Sequence, residues 1–192
     1  MPAYPHRAAG LLALLPLLSV PLALAEAGPP SGEVTLDIER FTLHVTNEAG
    51  ALSHRLRGRR LREFGREGPQ WVDDPRLELF ADGHLAWQWS APNALHKPSA
   101  AMLELIGPVR GVQPAHAKRP QTIVRSRDVR LATDTMIATS TQRSTFRQPG
   151  LLQRGTGLRV DTQSDTMQLL DDVYSLYSPP SEEESRHVPP SP

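Results

Sequence analysis

The stretch Pro75 to Ala91, PRLELFADGHLAWQWSA, constrains the fold more than any other part of the chain. Leu77 and Leu79 alternate with Glu78 and Phe80, a period of two residues. Asp82-Gly83 then supplies a turn, because glycine tolerates positive φ and aspartate caps turns. Beyond it, Leu85, Trp87 and Trp89 alternate with Ala86, Gln88 and Ser90. The pattern predicts a β-hairpin with Leu77, Leu79, Leu85, Trp87 and Trp89 on one apolar face. Aromatic residues are only 5% of the chain, so two tryptophans on one strand face stand out.

The same period continues through the body of the chain. Val34, Leu36 and Ile38 form one alternating set, and Phe41, Leu43 and Val45 another. A turn at Asn47–Gly50 leads into Leu52, His54 and Leu56, which predicts a second hairpin. Met102 to Val109 reads as a strand in which Leu103, Leu105 and Val109 share parity, and Gly111 to Pro120 reads as a loop. Ile123, Val129 and Leu131 mark the next strand, followed by a short Thr-rich one at Met136–Thr141. After a Gln148-Pro149-Gly150 turn, Gly155–Val160 and Thr166–Tyr177 close the series. No stretch of the body holds a 3.6-residue period over three turns, so the expectation is an all-β sandwich, barrel or roll. The 192 residues suffice for one such domain, residues 33–177, with tails.

At the N-terminus, Arg7 precedes the charge-free run Ala8–Ala25, AAGLLALLPLLSVPLALA. It reads either as a secretory signal, with Ala23-Leu24-Ala25 as the cleavage site and Pro16 and Pro21 breaking a helix, or as a short membrane anchor near the lower length limit. In either case the rest of the chain is exported. Residues 26–32 read as a linker, and residues 178–192, SPPSEEESRHVPPSP, as a disordered tail.

Formal net charge is +0, which gives no electrostatic case for nucleic acid. The basic run Arg55–Arg66 admits two readings, a phosphate-binding patch or a solvated strand face, and overall charge balance favours the second. The absence of cysteine excludes thiol catalysis and cysteine-ligated zinc. The histidines lack metal spacing, Asp73-Asp74 and Asp171-Asp172 point to opposite strand faces, and there is no G-x-S-x-G. Gly155-Thr156-Gly157 lacks a following helix and reads as a bend or bulge. No catalytic residue, metal site or cofactor is expected.

The order of features resembles the LptC family, the bitopic inner-membrane subunits of lipopolysaccharide export. The residues that carry the resemblance are Phe41, Gly50-Ala51-Leu52 and Leu56, followed by Pro75, Leu77, Leu79, Phe80, Gly83, Trp87 and Ala91. Leu103, Leu105, Gly107 and Val109, then Thr122–Thr133, Gly157-Leu158, Leu169, Val173 and Tyr177 continue it. Arg127 and Arg130 depart from it, as does the tail. The resemblance implies an open β-jellyroll behind one N-terminal anchor helix, single-pass in the inner membrane with its main domain in the periplasm. It implies that the apolar face binds lipopolysaccharide acyl chains, with Leu43, Leu77, Leu79, Trp87, Trp89, Leu103 and Leu105 as the candidate lining. It also implies docking to LptF and LptG at the N-terminal edge and to LptA at the C-terminal edge, where Gly157, Val173 and Tyr177 are candidates. The alternative is a secreted, closed β-sandwich that binds a carbohydrate or protein, with Trp87 and Trp89 in its core.

Overall fold

The computed structural model describes residues 28–178. The expected anchor or signal segment, its Ala23–Ala25 site and the tail beyond Ser178 lie outside the described residues. Among the described residues, no helix is long and apolar enough to cross a membrane.

The described residues fold as eleven antiparallel strands: β1 (Val34–Thr46), β2 (Leu52–Phe64), β3 (Gln70–Asp73), β4 (Arg76–Ala81), β5 (His84–Ser90), β6 (Asn93–Lys97), β7 (Met102–Gln113), β8 (Thr122–Ala132), β9 (Ile137–Gln148), β10 (Leu151–Asp161) and β11 (Thr166–Tyr177). The long strands change partners halfway. Residues 54–57 of β2 pair with β4, and residues 60–63 pair with β3. Residues 102–106 of β7 pair with β6, and residues 110–112 pair with β5. Since β3 pairs with β6 and β4 with β5, two routes join β2 to β7, and the chain wraps into two facing layers. From β7, the path runs through β8, β9 and β10 to β11, while β1 lies on the other side of β2. This is the expected all-β roll of antiparallel strands.

Bends in the long strands are built from residues in the left-handed region. Arg40, Gly107, Asp128, Gly157 and Asp172 all have positive φ in mid-strand. Pairing registers slip between Leu105 and Pro108, between Arg125 and Arg130, and between Thr156 and Leu158. Such bulges turn a strand and let it pass from one layer to the other.

The interior is a single apolar cluster from both layers. It contains Leu56, Leu61, Val72, Leu77, Leu79, Trp87, Trp89, Leu103, Leu105, Val124, Val129, Leu131, Phe146, Leu158 and Val160. Trp87 and Trp89 stack at 5.1 Å with their planes 17° apart. Ser126 and Ser144 hydroxyls meet across 2.8 Å inside the same layer.

Several boundaries differ from the sequence reading. The alternating sets Val34–Ile38 and Phe41–Val45 form one strand, because Arg40 takes a positive φ without shifting the register against β2, which holds from Leu36 to Val45. Strand β7 runs to Gln113, three residues into the expected loop. The Thr-rich strand is only the first half of β9, and Met136 lies in the preceding turn with φ of 56°. Strands β3 and β6 were not expected at all. They are four and five residues long, too short for an alternation to declare itself.

Candidate functional site

The apolar face singled out by alternation is the inner face of the roll. Leu77, Leu79, Trp87, Trp89, Leu103 and Leu105 are each 1% exposed or less. They are packed against one another across the two layers, not spread along an open trough. Leu43 is different: it sits on β1, the outermost strand at its end, and is 40% exposed.

Leu43 marks the mouth of the interior. A cavity of about 240 Å³ is lined by Leu43, Val45, Leu56, Leu77 and Leu103, with His54, His96, Pro98 and Thr133 completing its wall. Its lining comes from β1, β2 and β4 on one side and from β6 and β7 on the other, so it opens between the two layers. Burial lowers the pKa of His54, and burial followed by the neighbouring His54 lowers that of His96. His96 Nδ1 lies 3.0 Å from Gln70 Oε1, whereas His54 Nδ1 is buried without a hydrogen-bond partner. Sequence reasoning did not select these histidines. For His54 the signal was present, since it shares parity with Leu52 and Leu56; for His96 it was hidden in the short β6.

The ends of the roll are open. Among the described residues, β1 pairs only with β2, and β11 only with β10, so each leaves one edge of backbone N–H and C=O groups without a strand. Both edges are apolar. Val34, Leu36, Ile38 and Leu43 are exposed on β1, and Leu170, Val173, Tyr174, Leu176 and Tyr177 on β11. Val173 and Tyr177 are 53% and 69% exposed, the reverse of what a closed sandwich asks of an edge. Gly157 is not on the edge but on β10, one strand inside it. It has φ of +75°, and a Cβ there would lie 3.0 Å from Leu170 Cβ on β11.

The basic run behaves as a solvated face. Arg55 and Arg57 both reach the carboxylate of Glu78, Arg60 that of Asp37, and Arg62 that of Asp73. Among the described residues, no cluster of three or more acidic or histidine side chains could hold a metal ion.

An apolar interior between two layers, with a mouth at one end and free apolar edges at both, is an arrangement for an amphiphile and for strand addition. The family described as "Lipopolysaccharide-assembly, LptC-related" matches residues 11–178. The chain belongs to the LptC family. It is a component of lipopolysaccharide transport, periplasmic-facing as the family is, and transport proteins of this kind are not enzymes as a class. No curated protein sequence matches it. Among solved structures it is similar to LptH of Pseudomonas aeruginosa, described as the LptA-homologous periplasmic component of the conserved lipopolysaccharide transport device. That similarity has a TM-score of 0.53 at 11% identity and covers 66% of this chain and 95% of LptH. It is a likeness of fold, and the family membership rests on the sequence.

Proposed function

We propose that this chain accepts lipopolysaccharide from the LptF/LptG ABC transporter at its β1 edge and passes it to LptA at its β11 edge. The observation that carries this reading is the position of the two unpaired apolar edges at opposite ends of one continuous set of strands. A partner jellyroll adding a strand to either edge would prolong the same interior. Acyl chains enter at the Leu43 mouth and lie between the layers against Leu77, Leu79, Trp87, Trp89, Leu103 and Leu105. Because those side chains pack together in the free chain, lipid entry separates the layers near the mouth. The apolar segment Ala8–Ala25 stays attached as a tether, which holds the roll beside the transporter by raising its effective concentration. The chain itself catalyses no reaction.

The buried tryptophans favour the competing reading, a closed sandwich for a carbohydrate or protein. Tryptophan emission of the full chain in neutral detergent separates the two, since Trp71, Trp87 and Trp89 are all buried. A shift with lipopolysaccharide that its deacylated saccharide does not produce supports the lipid groove. No shift at saturating lipid, or the same shift with the saccharide alone, counts against it.

A further inference from the structure

The outer face of the layer that contains β4 and β5 carries a line of arginines. Cross-strand pairing runs from Arg57 to Arg76, Ser90, Arg110, Arg125, Thr145 and Arg154, one residue each from β2, β4, β5, β7, β8, β9 and β10. Six interstrand steps make this row about 29 Å long. Its neighbours in sequence, Leu77, Trp89 and Val124, are buried in the core, so by alternation the row points outward. It faces away from the proposed acyl groove and stands independently of that reading.

Among the described residues, only Arg57 of the row has an acidic partner. Arg57 shares Glu78 with Arg55, but among the described residues Arg76, Arg110, Arg125 and Arg154 form no ion pair. Arg110 and Arg125 are direct cross-strand partners, as are Arg57 and Arg76, an arrangement of like charges that disfavours the fold. The other layer is balanced by contrast, with Arg60 on Asp37, Arg62 on Asp73, and Lys97 and Arg130 on Glu104. A chain of formal net charge +0 has thus gathered unpaired positive charge on one face.

The middle of the row is concave. Arg76, Arg110 and Arg125 line a depression of about 860 Å³, with Pro92 and Pro108 in its wall, Gln88 and Ser90 on its floor, and Asp74 as its one acidic residue. Guanidinium forks match phosphate oxygens in bidentate fashion. A single carboxylate offsets one such charge, whereas a phosphate group presents its acceptor oxygens to more than one guanidinium at once. We infer that this depression binds a phosphate-bearing ligand, held by Arg76, Arg110 and Arg125, with Gln88 and Ser90 as neutral donors. The phosphate belongs either to a lipid headgroup or to a free polyphosphate, and the test separates these sources.

The full chain in neutral detergent micelles is titrated calorimetrically with inorganic tripolyphosphate and, separately, with micelles containing phosphatidylglycerol. Saturable binding in either arm is expected. It weakens about tenfold in Arg110→Gln and in Arg125→Gln, as loss of a charge-assisted contact requires. Binding in the tripolyphosphate arm alone identifies a free polyphosphate, and in the phosphatidylglycerol arm alone a headgroup. Binding in both leaves the shared phosphate chemistry as the determinant. Arg159→Gln removes the same charge from an exposed position outside the row and leaves affinity unchanged. Absence of binding in both arms overturns the inference, as does an equal loss in Arg159→Gln, which would reduce the effect to overall charge.

Discussion

The backbone N–H of Gly107 donates to Asp128 Oδ1 across 2.8 Å, and both residues have positive φ where β7 and β8 bend together. The carboxylate ties the two bulges into one corner. Aspartate tolerates this backbone region better than alanine because its short side chain can hydrogen-bond locally. Asp128→Ala is therefore expected to cost about 2 kcal/mol, and Asp128→Gly less, in urea denaturation. Equal stability of Asp128→Ala and the parent would show that the corner is held by other contacts.

Trp89 and Gly111 form a second fixed pair, opposite each other on β5 and β7. A Cβ on Gly111 would come 2.6 Å from the indole ring. Gly111→Ala is expected to cost about 1–3 kcal/mol through overpacking, and Trp89→Arg to unfold the domain by burying an unpaired charge. Circular dichroism with thermal melts checks both. A folded Trp89→Arg would mean that the layers are already parted at that depth.

At the C-terminal edge, Val173→Glu and Tyr177→Glu alter exposed side chains and are expected to change stability by less than about 0.5 kcal/mol. Capture of LptA by the full chain should nevertheless fall steeply, because charge on an edge strand opposes strand addition. Gly157→Arg acts differently. It forces a side chain into positive φ beside Leu170, so it should lower both stability and capture. Undiminished LptA capture by all three variants would remove β11 as the docking edge.

The histidines at the mouth set a pH dependence. Burial lowers the pKa of His54 and His96 below the ordinary 6.5, so the unfolded chain binds more protons there than the folded one. Stability is full above about 6.5 and declines as pH falls below it toward the lowered folded values. A melting temperature that drops between pH 7 and 5, and a shallower drop in His54→Gln, are the expected results. An identical slope in His54→Gln would assign the effect to other groups.

The inner face was legible in the sequence because its residues obey one simple rule. Leu77, Leu79, Trp87 and Trp89 alternate without interruption, and the structure buries all four. What alternation cannot convey is whether two buried faces touch. The same pattern serves a packed core and an open trough, and only the facing of β4 with β6 and β7 around the mouth separates them. Strand halves paired with different partners were equally hidden, since the change of partner in β2 between residues 57 and 60, and in β7 between residues 106 and 110, falls inside one unbroken strand in each case. The arginine row was invisible for a related reason. Its members are scattered from Arg57 to Arg154 and meet only through register, while the conspicuous run Arg55–Arg66 is largely neutralised by Asp37, Asp73 and Glu78.

The central claim is that lipopolysaccharide passes between the layers, and photocrosslinking from Leu43 tests it most directly. A benzophenone amino acid at Leu43, at the mouth, is compared with one at Arg130, exposed on the outer face of β8, in the full chain with an active transporter. The account predicts an energy-dependent lipopolysaccharide adduct at position 43 and none at position 130. Adducts of equal yield at both positions, or none at 43 while transport proceeds, would contradict it.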